Sequence, residues 1–385
     1  MTITAPPLTE MLQGLIGTPS ISSVSREYDQ SNLAVIELLA GWLDSLGFQC
    51  EILPLHMQPG KANLIATLGS GPGGLVLAGH TDTVPYDEGR WQTDPFKLTE
   101  RSQRFYGLGT ADMKSFLALA IEAARTYKKS DLKQPLIILA TADEESSMDG
   151  ARELVKLGRP KARYAVVGEP TGLVPIRAHK GMMMEAIRIT GQSGHSSNPA
   201  HGNNALLGMH SVMGTLIEWQ QELASQYQNP LFDVPYPTLN LGHIHGGDNP
   251  NRICGQCELH IDLRPLPGMD IDELQMQIKH RVHAVIEQTG LAFDIRHLMP
   301  GTAAMESPSD SVLIQTAEKL TGYPAEAAAY STEGPFFQQL GLETMILGPG
   351  HIAQAHQPDE YIEQNTLNPA VALLQELITQ FCLTD

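Results

Sequence analysis

The sequence predicts an α/β protein in which a mostly parallel sheet with helices on both faces is interrupted by an inserted ferredoxin-like βαββαβ domain. Three observations predict it. A chain of 385 residues exceeds what one hydrophobic core ordinarily organises, which invites two domains. Up to residue 181, short apolar runs alternate with helical stretches, the rhythm of a parallel sheet covered by helices. From residue 182 that rhythm gives way to half-exposed strands between two helices, and beyond Pro300 the earlier style returns. The expected division is therefore one domain over 1–181 and 299–385, with an inserted domain over 182–298.

Each element follows from periodicity. Residues 31–47 carry Leu33, Ile36, Leu39, Leu43 and Leu46 at helical spacing, and Gly47 is placed to end the helix. Residues 75–78, 136–140 and 165–167 are short buried-strand runs, with a helix over 113–127 between the first two. In the insertion, residues 184–190 alternate like a half-exposed strand, 203–226 form a helix, and 238–245 and 253–263 are strands. A helix over 271–288 and a strand over 291–298 complete the order βαββαβ. After Pro300 come a helix over 311–321, a strand over 344–347 and a C-terminal helix near 368–381.

Composition narrows the function. The formal net charge of −18 argues against a nucleic-acid partner, which requires clustered Lys and Arg. Cys50, Cys254, Cys257 and Cys382 are too few and scattered for a disulfide framework. The Cys254 and Cys257 pair has no second pair to complete a zinc knuckle and reads as structural thiols. The first basic residue is Arg26, so no signal-peptide n-region precedes it, and no apolar run approaches the ~18 residues of a membrane span. A cytoplasmic protein without a membrane partner is expected.

In open α/β sheets, functional groups gather beyond the carboxyl ends of the strands. There the sequence places His80 and Asp82 after residues 75–78, Glu144 and Glu145 after 136–140, and Glu169 after 165–167. His356 follows residues 344–347 through a Gly-rich loop, and Asp112 lies between Gly109 and the helix from 113. Imidazoles with carboxylates suit a pair of divalent ions such as zinc, cobalt or manganese, with Asp112 as the bridge. Asp82, two residues from His80, suits a carboxylate that holds the second ring nitrogen of a ligating histidine. Of the neighbours Glu144 and Glu145, one is expected to bind metal and the other to act as base.

Two other patterns lead nowhere. The run 69–74 matches G-x-G-x-x-G but a strand follows instead of a helix, so it is a turn and implies no dinucleotide. Ser193 to Ser196 sets serine beside His195 without the G-x-S-x-G elbow of a serine hydrolase.

The residues resemble a zinc peptidase and deacylase family that includes aminoacylases, succinyl-diaminopimelate desuccinylases, glutamate carboxypeptidases and acetylornithine deacetylases. GHTDTVP at 79–85, GLGTADMK at 107–114, TADEESSMDGA at 141–151, VVGEPT at 166–171, GQSGHSSNPAHGNNA from 191 and LGPGHIAQAHQPDEYI from 347 stand in the family's order. RAHKG from 177, the long stretch from Pro235 and HQPDEY from 356 resemble the acetylornithine deacetylase branch most. The resemblance implies hydrolysis of a small N-acylamino acid, N-acetylornithine first, with N-succinyl-diaminopimelate, another acylamino acid or a dipeptide as alternatives. It implies two divalent ions, Zn2+ with Co2+ as substitute: His80, Asp112 and Glu169 on one, Asp112, Glu145 and His356 on the other. It further implies Glu144 as general base, Asp82 orienting His80, and a catalytic domain formed by 1–181 with 299–385. The insertion would serve as a dimerisation and lid domain of a homodimer. It would supply His195 to steady the oxyanion, Asn251 to the substrate, and Arg264 as a bidentate clamp on the substrate carboxylate.

Overall fold

A computed structural model describes residues 4–383. The chain divides into two compact units. The first runs to Arg177 and resumes over Ser307–Glu326 and from Thr332; the second comprises Ala178–Glu306 with Ala327–Ser331.

The first unit is built on a sheet whose order is Gln49–Pro54, Ala62–Leu68, Leu136–Thr141, Leu75–His80, Tyr164–Val167 and Glu343–Ile346. The last four are mutually parallel, so their carboxyl ends share one edge. The register sets His80 opposite Thr141 and Ala78 opposite Val167. Every residue of Leu75–His80, Leu136–Thr141 and Tyr164–Val167 is buried, as strands covered on both faces require. Leu75, Leu77, Ile138 and Val166 join a core with Leu39 and Leu43 of the helix Leu33–Ser45, Leu117 and Ile121 of Lys114–Ala124, and Leu374 of Gln364–Ile378. The run 69–74 is the expected turn. Gly74, at φ +92°, is required there, because a Cβ would lie 2.2 Å from the Pro135 carbonyl oxygen.

Among the elements of this unit that were not foreseen are the helices Leu8–Ile16 and Asp149–Leu157 and the strands Gln49–Pro54 and Ala62–Leu68. The two strands pair antiparallel and extend the parallel sheet on one side. Gln49–Pro54 is a half-exposed edge strand whose apolar residues, Cys50, Ile52 and Leu53, do not alternate strictly, and it gives little period-2 signal.

In the second unit, Thr238–Gly246, Gln256–Arg264, Met182–Thr190 and Ala292–Thr302 form, in that order, an antiparallel sheet. With the helices Ala205–Gln226 and Ile271–Ile286 the order is the ferredoxin-like βαββαβ. One sheet face buries Ile187, Ile189, Leu259 and Ile261 against Val212, Leu216, Trp219, Ile278 and Val282. Alternate residues such as Arg188, Glu258 and His260 are polar and outside that core. Both helices are capped as their sequences direct: the Leu206 amide donates to Asn204 Oδ1 at 3.0 Å, and the Glu273 amide to Asp270 Oδ1 at 2.9 Å.

The breaks expected after 181 and 298 fall instead after Arg177 and Glu306, and residues 327–331 join the second unit. The later break has a clear cause. Pro300 reads as a strand stop, but Ala292–Thr302 lies at the sheet edge and its register shifts between Met299 and Thr302, so the missing N–H is tolerated. All four cysteines are free, with Cys254 and Cys257 in the second core. Among the described residues, no helix is long and apolar enough to cross a membrane.

Candidate metal centre

The four parallel strands deliver side chains to one edge. His80 ends its strand, fully buried, and its Nε2 lies 3.0 Å from Asp112 Oδ1 and 3.9 Å from Glu169 Oε1. His356 stands half-exposed at φ 58°, with Nε2 3.4 Å from Asp112 Oδ2 and 3.0 Å from both carboxylate oxygens of Glu145. Asp112 therefore turns one oxygen to each histidine, the disposition of a bridging carboxylate. The donor atoms converge in two overlapping groups, His80 with Asp112 and Glu145, and His80 with Glu144 and Glu169.

Local backbone geometry fixes these directions. Gly168 brings the chain so close to the Lys114–Ala124 helix that a Cβ would lie 2.0 Å from Phe116 Cγ, and Glu169 follows it. Asp143 adopts φ 61°, unusual for a residue with a side chain. Its Oδ1 accepts from Lys61 Nζ at 2.7 Å and Ser22 Oγ at 2.8 Å. That bend leads directly into Glu144 and Glu145. Glu145 engages His356, whereas the Glu144 carboxylate makes no hydrogen bond among the described residues.

Asp82 departs from its expected geometry. His80 Nδ1 meets the Asp82 main-chain carbonyl at 3.0 Å, while the carboxylate lies 3.7 Å away. Asp82 Oδ2 instead accepts from the Glu145 amide at 3.0 Å. A tight strand-end turn brings the carbonyl nearer than the side chain can come, so Asp82 tethers both His80 and the segment bearing Glu145.

Charge in the cluster is unbalanced. Burial pushes the Glu144, Glu145 and Glu169 carboxyls up, and mutual repulsion adds to it, chiefly Glu169 on Glu144 and Asp112 on Glu145 and Glu169. Burial acts on Asp112 too, but hydrogen bonds from His356 and His80 outweigh it and hold that carboxyl low. His80 is raised well above the ordinary imidazole value, its burial overcome by Asp112, Asp82 and Glu169. Hydrogen bonds to Asp112 and Glu145 raise His356 to about 10. Crowded acids thus draw protons onto both imidazoles. Divalent cations would replace those protons, and Glu169 Oε1, buried with no hydrogen-bond partner among the described residues, offers a further donor. The residues fit a pair of hard or borderline divalent ions.

Three expected residues lie on the second unit. The Ser197 amide and hydroxyl approach His195 Nδ1 at 3.2 and 2.7 Å. An amide can only donate, so Nδ1 accepts and Nε2 carries the proton. Asn251 is a neighbour: its carbonyl accepts from the Ser196 amide at 3.0 Å. Arg264 spends its Nε on Asp262 at 2.9–3.1 Å, an intrastrand ion pair.

Sequence reasoning left two buried carboxylates out of the site. Glu333 is fully buried, accepts from Thr141 Oγ1 at 2.7 Å, and is pushed by burial to about 7. Glu360 accepts three main-chain amides, from Gly109, Ala111 and Asp112. Its signal was present in HQPDEY, an acid four positions after the ligand candidate His356.

The model of peptidase family M20/M25/M40 matches residues 76–380. The chain belongs to this family. An acetylornithine deacetylase of Photorhabdus laumondii is 49% identical to this M20 chain over 385 residues, covering 100% of both. One of Edwardsiella ictaluri is 50% identical over 377 residues, 98% of each. Among solved structures, an M20 metallo-carboxypeptidase of Sulfolobus solfataricus superposes with a TM-score of 0.76 at 18% identity, covering 97% of this chain and 98% of that one. A dinuclear metal-binding M20 peptidase of Bacillus subtilis gives 0.68 at 14%, covering 97% and 98%. These two likenesses speak for the fold.

Proposed function

We propose that this M20 chain is a hydrolase that cleaves N2-acetyl-L-ornithine to L-ornithine and acetate, a step supplying arginine biosynthesis, with a dinuclear centre held by His80, Asp112, Glu145, Glu169 and His356. The observation that carries the chemistry is Asp112, whose two oxygens face two different histidines. Full-length identity to acetylornithine deacetylases supports the substrate. Zn2+ suits the mixed imidazole and carboxylate donors, and Co2+ substitutes for it.

Bound divalent ions supply Lewis acidity, polarising the scissile carbonyl and acidifying water. The protein's residues do the rest. Glu144, partly exposed and uncommitted to any hydrogen bond, takes the proton of the attacking water and returns it to the departing amine. To His195, whose Nε2 carries a proton, we assign the steadying of the oxyanion. Asn251 contacts the substrate, and Arg264 holds its carboxylate after turning from Asp262. Asp82 keeps His80 and Glu145 in place through its carbonyl and carboxylate. The first unit is the catalytic domain and the second the dimerisation and lid domain of a cytoplasmic homodimer.

The test is acetate release from N-acetyl-L-ornithine by purified protein, with N-succinyl-diaminopimelate in parallel, before and after chelation and after return of zinc or cobalt. Metal-dependent release from acetylornithine is expected. Turnover of the succinyl compound alone would overturn the substrate, and chelator-insensitive turnover the centre.

A further inference from the structure

The loop 107–112 that presents Asp112 has few regular partners for its amides, yet four of them converge on a single residue. Gly109 N donates to Glu360 Oε2 at 3.0 Å, Ala111 N and Asp112 N to Oε1 at 2.7 and 3.0 Å, and Gly107 N to the Glu360 carbonyl at 3.0 Å. Glu360 is 2% exposed, so no water competes for these bonds.

The same residue closes the loop that carries His356. Between them, Asp359 Oδ1 accepts the Gln92 and Thr93 amides at 3.0 and 2.9 Å. Beyond Glu360, Tyr361–Glu363 pairs antiparallel with Arg104–Tyr106, the strand that leads into the Asp112 loop. The two segments that bring Asp112 and His356 to one site are thus joined at both ends, by a β-pairing and by one carboxylate.

We infer that Glu360 is a positioning residue: its carboxylate, clasping the Gly109, Ala111 and Asp112 amides, sets Asp112 at the distance from His356 at which both can hold one cation. The inference rests on the metal-centre reading above. Partners that orient a ligand typically govern metal affinity by about ten- to a hundred-fold. An amide in place of the carboxylate would set its NH2 against at least one main-chain N–H, and the loop would shift where Asp112 leaves it.

The test compares wild type with Glu360→Gln and Glu360→Asp. Zinc stoichiometry is measured by elemental analysis, zinc affinity by competition with a chromogenic chelator, and the melting temperature on chelated protein. For Glu360→Gln, one of two zinc ions is expected to weaken by roughly ten- to a hundred-fold, with little change in the chelated protein's melting temperature and with turnover restored by excess zinc. Glu360→Asp, which keeps the charge but not the reach, should fall between, and it carries the test if the Gln variant fails to fold. Two zinc sites of wild-type affinity in the variants would overturn the inference and leave the centre standing. So would a loss of affinity matched by equal destabilisation of the chelated protein. A wild type that binds no zinc pair would overturn the centre itself.

Discussion

Glu144 and Glu145 are chemically identical neighbours with different surroundings. Glu145 is tied to His356 through its side chain and to Asp82 through its amide, while the Glu144 carboxylate, beside His80 and Glu169, makes no hydrogen bond among the described residues. Glu144→Gln keeps the shape but cannot shuttle a proton, so turnover should fall about 10²- to 10⁴-fold, the usual worth of general acid–base catalysis. The metal content of the variant should match wild type by elemental analysis. A near-normal rate would remove Glu144 from the role of base. A second residue makes a pH prediction clear of the cluster. Burial pulls His179 down to about 4 from an ordinary 6.5. The unfolded chain therefore takes up a proton first as pH falls, and folding stability is lost from about 6.5 down to about 4, by roughly 3 kcal/mol for this group. Urea unfolding at pH 7 and pH 4 should show a fall smaller by about that amount in His179→Gln than in wild type. An equal fall in both would mean that His179 is not protonated differently on unfolding.

At the scale of elements, the bend between Leu136–Thr141 and the helix Asp149–Leu157 depends on a buried ion pair. Lys61 Nζ, 3% exposed, bonds Asp143 at 2.7 Å and Asp29 at 2.8 Å, and Asp143 holds its left-handed backbone one residue before Glu144. Lys61→Met would leave the Asp143 carboxylate buried without its cation, costing about 3–5 kcal/mol. Lys61→Met with Asp143→Asn should recover part of that, because the stranded charge is gone and Asn tolerates positive φ. Urea unfolding of the two single variants and the double gives the coupling, and additive losses would refute it. This bend also marks how far the sequence could be read. The strands ending at His80, Thr141 and Val167 were visible because strands covered on both faces are near-continuous apolar runs. The ligand candidates just beyond them were picked out from chain position alone. The pairings of Asp143 with Lys61 and of Glu360 with the 109–112 amides were not visible, since the partners lie 82 and about 250 positions apart and no local period encodes such pairs. Asp82 was expected to meet His80 through its carboxylate, but its carbonyl lies nearer, because carbonyl and carboxylate of one residue compete for the same imidazole.

The whole molecule separates into two cores, and the functional residues divide with them. All five ligand candidates lie in the first unit, whereas His195, Asn251 and Arg264 lie in the second. The change of rhythm in the sequence led to an expected division after 181 and 298; the two units break after Arg177 and Glu306, the later break lying beyond an edge strand that carries Pro300. Separate cores imply separable energetics. Ile278 is fully buried among Leu216, Trp219 and Val282, all within the second core. Ile278→Ala should cost about 2–5 kcal/mol, lowering a calorimetric transition that belongs to the second unit. Because no ligand candidate shares that core, zinc stoichiometry and chelator-competition affinity should remain those of wild type at temperatures where the variant is folded. Turnover, if it draws on His195 and Arg264, should fall at the lowered transition while zinc is still retained. Zinc released in step with that transition would mean that the second unit helps hold the metal centre, and the division of labour would have to be redrawn.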